Sequence, residues 1–127
     1  TIDGRDIWPL MAADKDAGPV HDVFYFYQMD QLQAVRSGKW KLCVALDDKK
    51  RNWGKSLGPA PLRLYDLQAD IAEENDVSAQ YPEVVERLQA LADAARDDLG
   101  DVGREGKGQR PSGWVDNPVP LLMEETE

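Results

Sequence analysis

Few side chains in this sequence could do chemistry, and they fall into three groups. His21 is the only histidine and Cys43 the only cysteine. The third group is the run Lys49-Lys50-Arg51, followed by Trp53 and Lys55. One histidine cannot build a two-His metal site, and one cysteine cannot close an intramolecular disulfide. Cys43 lies in an alternating apolar run, which predicts a buried, inert thiol rather than a nucleophile. Basic residues around an aromatic ring can hold an anionic polymer, with Trp53 as a stacking platform. The competing reading of 49–55 is a solvated hairpin loop whose Trp53 packs back on its own sheet. His21, a lone histidine just before an aromatic strand, is by type more often structural than functional. Carboxylates gather near residue 73 and at 97–98, as solvated faces rather than as an acid–base pair. Ser37, Ser56, Ser78 and Ser112 stand in turn-like contexts without a nucleophile elbow. No glycine run follows a strand as a phosphate loop does.

The bulk properties narrow the options further. A chain of 127 residues predicts one domain, or one domain and a tail, and such a chain can bury roughly two-thirds of its unfolded surface. Its formal charge of −9 and isoelectric point near 4.5 argue against sequence-independent nucleic-acid binding and against adsorption to anionic membranes. No segment reaches the ~18 apolar residues of a membrane span. Thr1 is not a natural start residue, so the sequence reads as a piece of a longer protein.

The elements that must position these groups centre on residues 23–46. Val23 to Met29 predicts a strand with Phe24 and Phe26 on one face and Val23, Tyr25 and Tyr27 on the other. Apolar groups on both faces imply cover on both sides. Asp30-Gln31 is the expected turn, Leu32 to Arg36 the second strand, Ser37-Gly38 the next turn, and Lys39 to Ala45 the third strand. Residues 47–61 form a long basic excursion, and 62–67 a fourth strand at an edge. Residues 70–80 are polar turns. Pro82 opens an amphipathic helix with Val84, Val85, Leu88, Leu91, Ala92, Ala95 and Leu99 on its apolar face. Glu83 and Arg87 are spaced to pair. Gly100 stops the helix. Asp97 and Asp98 oppose the helix dipole and predict a frayed last turn. The stretch after Gly100 is rich in glycine and charge, until apolar residues return at Trp114, Val115, Val119 and 121–123. The fold class expected is α+β: a four-stranded antiparallel sheet, one long C-terminal helix packed on it, and an extended tail. The divisions are a leading irregular segment at 1–22, an α+β unit at 23–100, and a Gly/Pro-rich tail at 101–127.

Five blocks occur in the order of a known family. Ile2-Asp3-Gly4, Asp6 and Pro9-Leu10-Met11 resemble an IDGxDxxPLL segment. His21 with Phe24-Tyr25-Phe26-Tyr27 resembles an H-x-x-F-F-Y-Y strand. Residues 34–42, AVRSGKWKL, resemble an AVRxGxWKL hairpin. Leu64-Tyr65-Asp66-Leu67, Asp70, Glu73 and Asn75 resemble LYDLxxDPxExxN, and Pro82-Glu83-Val84-Val85 resembles the start of a terminal helix. Together they resemble the C-terminal region of the arylsulfatases, the type I formylglycine-dependent family. The resemblance implies a subdomain that follows an N-terminal catalytic domain. That domain would hold a formylglycine made from a Cys-x-Pro-x-Arg or Ser-x-Pro-x-Arg signature, beside a Ca²⁺ ion, in a periplasmic or secreted sulfatase. The signature is absent here, so the segment itself is expected to be inactive. The resemblance also implies that His21, Lys49, Lys50, Arg51 and Trp53 are rim contacts to an anionic sulfated substrate, and that the second cover of the sheet is the catalytic domain or a neighbouring copy. In some sulfatases a C-terminal tail returns to the cleft, which would fall on 111–123. Ile71 departs from the family's usual Pro and predicts a looser turn. Two other readings remain: a free-standing module binding sulfated glycans through 49–55, and a relative from the phosphoesterase side of the same superfamily.

Overall fold

A computed structural model describes residues 4–51, 55–111 and 113–119. In chain order the elements are α1 (Trp8–Met11), β1 (Val23–Gln28), β2 (Gln31–Ser37), β3 (Trp40–Cys43), β4 (Lys50–Arg51), β5 (Lys55–Ser56), β6 (Arg63–Asp66), α2 (Pro82–Leu99), β7 (Gly100–Asp101) and β8 (Arg104–Glu105). The main sheet has four strands in the order β1-β2-β3-β6, all antiparallel. Short turns force neighbouring strands to pair in sequence, and β6 adds to the far edge after the basic excursion.

The pleat sorts the side chains. One face carries the row Tyr25, Val35, Leu42, Leu64, and the last three are fully buried. Leu88, Ala92 and Ala95 of α2, spaced four and three apart, close over that face. Trp40 meets Tyr81 at the start of the helix with ring centroids 4.8 Å apart. Arg87 donates to Ser37 Oγ at 3.3 Å instead of pairing with Glu83. Leu99, expected on the apolar face, is 43% exposed.

Three local expectations change. The first hairpin turns at Met29–Asp30 rather than Asp30–Gln31, with Met29 in a left-handed backbone at φ 57°. Gln31 is drawn into the strand because its amide holds the base of the basic loop. The second turn is Gly38–Lys39. The third strand ends at Cys43, although Val44 still donates to Gln33 and Leu46 bridges to Ala60.

The end of α2 is not frayed. Residues 100–109 fold back on it: Lys107 and Gly108 donate to the Asp97 and Asp98 carbonyls, each at 2.8 Å, the Gln109 amide reaches the Leu99 carbonyl, and Arg104 pairs with Asp97. The last carbonyls of a helix need such partners. Asp101 ties the hairpin to the sheet by accepting from Leu32 N at 3.2 Å and pairing with Arg96 at 2.8 Å, and Tyr27 donates to the Gly100 carbonyl. Gly106 makes this possible, since a Cβ there would lie 2.2 Å from the Asp98 carbonyl oxygen.

The turn at Ile71 is closed in spite of the missing Pro. Asp70 Oδ2 accepts from Asn75 N at 2.7 Å and Glu74 N at 2.9 Å, while Ile71 is 81% exposed. Neighbouring carboxylates work the same way. Asp66 pairs with Lys39 at 2.6 Å, and Asp76 accepts from Leu64 N and Ser78 N. The Asn75 amide holds Asp70, and the Lys39 ammonium holds Asp66, below the ordinary carboxylate range. Burial pushes Asp76 up, but its hydrogen bonds together bring it below that range. Each group is depressed in the folded chain, so its stabilisation is present above the unfolded value of about 3.9 and is lost as pH falls through the folded one. The urea midpoint should therefore drop as pH goes from about 5 to about 3, and an unchanged midpoint would contradict these clamps.

Candidate functional site

The leading segment and the first hairpin border a half-open cavity of about 730 Å³, lined by Pro19, His21, Asp22, Phe24, Phe26, Arg36, Ser37 and Gly38. It lies on the sheet face turned away from α2. There the register sets Phe24, Arg36, Lys41 and Tyr65 in one row and Phe26, Ala34, Cys43 and Arg63 in the next. Phe24 and Phe26, two residues apart, share the face and meet edge-on with centroids 4.8 Å apart. Lys41 holds its ammonium 4.9 Å over the Phe26 ring and pairs with Glu73 at 2.5 Å. Phe24 is 58% exposed. Among the described residues the cover of β1 is thus better on the helix side, where Val23, Tyr25 and Tyr27 pack half-buried against the core. Arg36 donates through Nε to the Gly38 carbonyl at 3.1 Å, which steadies the guanidinium beside Phe24.

The basic loop lies at the other end of the sheet. Gln31 and Gln33, at the start of β2, hold its base. Gln31 Nε2 donates to the Asp48 carbonyl at 2.9 Å, Lys50 N donates to Gln31 Oε1 at 2.7 Å, and Gln33 Nε2 donates to the Lys50 carbonyl at 2.6 Å. The His21 cavity adjoins Ser37, at the opposite end of β2. Six strand steps at ~3.4 Å separate the two by roughly 20 Å. His21 and the basic loop therefore form two sites, not one.

Within the loop, Lys50 is ion-paired with Asp48, which also accepts from Ser56 Oγ. The Lys50 ammonium, with the Ser56 hydroxyl, holds the Asp48 carboxyl below its ordinary range. Lys49 borders a smaller cavity of about 290 Å³ together with Cys43, Arg63, Tyr65 and Glu73. Arg51 pairs through its backbone with Lys55. Trp53 lies outside the described residues. Cys43 is half-buried rather than fully buried, and burial pushes its thiol up, which keeps it in the unreactive form.

Arg36, Phe24 and Asp22 were not singled out by residue type. For Arg36 and Phe24 the signal is the register: the β1–β2 hairpin, which turns at Met29–Asp30, places Arg36 opposite Phe24. Among the described residues, no group of three or more His, Cys, Asp or Glu side chains could hold a metal ion. No helix among them is long and apolar enough to cross a membrane. The arrangement can bind and position. It holds no paired nucleophile and base.

The family model for the C-terminal region of aryl-sulfatase matches residues 19–115. A solved structure of a sulfatase from Bacteroides thetaiotaomicron, from a genetic locus for the metabolism of multiple glycosaminoglycans, superposes with a TM-score of 0.56 at 27% identity. The match covers 74% of this chain and 20% of that one, so this chain spans about a fifth of that sulfatase. No curated protein sequence matches the chain. The matched span takes in the whole four-stranded sheet, the long helix and the folded-back hairpin, and on that ground the chain belongs to the C-terminal regions of the aryl-sulfatases.

Proposed function

We propose that this chain completes a sulfatase whose N-terminal catalytic domain hydrolyses sulfate esters, and that its own part is structural, with the His21 cavity on the rim of the substrate cleft. The observation that carries the reading is the family match across 19–115, with a sulfatase neighbour of which the match covers only 20%. Two sets of apolar side chains support a large partner surface. Ile7, Trp8, Leu10 and Met11 in and beside α1 are about half to two-thirds exposed, Val115 is exposed to a similar degree, and Trp114 and Val119 are more exposed still. Apolar surface of this extent marks a contact face. The catalytic domain is its proposed occupant.

Among the described residues no group of three His, Cys, Asp or Glu side chains fits the Ca²⁺ ion that the family implies, and Cys43 lacks the context for conversion to formylglycine. Both are assigned to the catalytic domain, and no step of the reaction is routed through this chain. The alternative of a free-standing glycan-binding module centred on 49–55 gains little from the described residues, because Lys50 is already neutralised by Asp48.

Peptide mass spectrometry of the full-length protein tests the assignment. The expected result is a Cys-x-Pro-x-Arg or Ser-x-Pro-x-Arg peptide upstream of Thr1 carrying an aldehyde at its first residue. A full-length protein with no such signature would contradict it.

A further inference from the structure

The Phe24 cavity has a composition that neither an ion-binding patch nor a plain docking face would need. Its floor is a ring that is 58% exposed and held edge-on by Phe26. Its rim mixes a cationic donor, Arg36, with an acceptor, Asp22, and with His21, which can be either. Small-molecule sites combine an apolar floor with a few convergent polar groups in this way. An exposed aromatic ring suits the C–H face of a pyranose. A carboxylate accepts from sugar hydroxyls, and a guanidinium fork matches the paired oxygens of a sulfate or carboxylate. The Nε hydrogen bond to Gly38 fixes the stem of Arg36, which lines the cavity. A volume of about 730 Å³ falls within the size range of ligand sites.

We infer that this cavity is a saccharide subsite, with a pyranose on Phe24, its hydroxyls toward Asp22 and His21, and an acidic substituent on Arg36. The inference rests on the cleft-rim reading and deepens it. It makes the preferred ligand an anionic oligosaccharide that reaches from the catalytic centre across this subdomain, and it makes Arg36 and Phe24 specificity determinants.

The test is calorimetric titration of the full-length protein with a sulfated glycosaminoglycan hexasaccharide and with its desulfated counterpart, for the parent, Arg36→Gln and Phe24→Ala. Both side chains are exposed, so both variants should keep the thermal midpoint of the parent. The expected result is a dissociation constant for the sulfated hexasaccharide raised about tenfold by either variant. Arg36→Gln should also erase most of the preference over the desulfated sugar, whereas Phe24→Ala should weaken both sugars. Unchanged affinity in both variants overturns the subsite, and so does tighter Arg36-dependent binding of an oligoglutamate peptide, which would make the face a protein contact. Sulfate release from a small aryl sulfate, measured on the same preparation, judges the sulfatase reading separately. Release with variant-independent sugar binding removes the subsite alone, and no release with Arg36-dependent binding removes the sulfatase reading alone.

Discussion

Leu88→Ala should destabilise the domain by about 2–5 kcal/mol, the usual cost of deleting a fully buried leucine and leaving a cavity. Leu88 is 0% exposed and sits where α2 crosses Val35, Leu42 and Leu64, which are themselves fully buried. Its loss removes the main knob that seats the helix on the sheet, and neighbours locked in strands cannot collapse to fill the gap. Urea unfolding should show a lower midpoint with an unchanged slope. Leu91→Ala, on the half-buried flank of the same helix, should cost less than half as much, because less apolar area leaves water there. Equal effects at the two positions would mean that the helix is rotated from the orientation described.

Gly100→Ala should cost about 3 kcal/mol, through two separate penalties. Gly100 stands at φ 92° and ψ −179°, a region that is almost exclusively glycine's. A Cβ there would also lie 2.7 Å from the Arg104 carbonyl oxygen. Both penalties fall on the joint that turns the chain from α2 into the hairpin and presents its carbonyl to Tyr27. Gly103→Ala is the matched control. It also has a left-handed backbone, at φ 68°, but nothing lies within 4 Å of its Cβ position, so about 1 kcal/mol is expected. Amide exchange read at Leu32, whose N–H is held by Asp101, should speed up in Gly100→Ala and barely change in Gly103→Ala.

Much of this fold is legible in the sequence, for physical reasons. Alternation around Trp40-Lys41-Leu42-Cys43 sets the strand faces, and Ser37-Gly38 marks the hairpin within one residue. Pro82 opens α2 where a proline is tolerated, and Leu88, Ala92 and Ala95 keep the helical period. What escaped pattern reading depended on contacts between distant residues. The turn at Met29 uses a left-handed backbone on a residue without glycine's freedom, because Gln31 is committed to the 48–50 loop. The charges after Gly100 look like a disordered run until Arg104, Lys107 and Gln109 meet the open end of α2. The candidate site was half legible. His21 stands out by rarity, whereas Arg36 joins it only through strand register. The grouping of His21 with the basic loop comes from the family resemblance alone, and β2 holds the two apart.

Sulfate release is the most direct measurement of the central claim. The full-length protein and the isolated 127-residue chain are each incubated with a small aryl sulfate, and free sulfate is counted. The full-length protein should release sulfate with turnover, and the chain alone should release none above the buffer blank. Sulfate release by the chain alone, or none from a correctly folded full-length protein, would contradict the account.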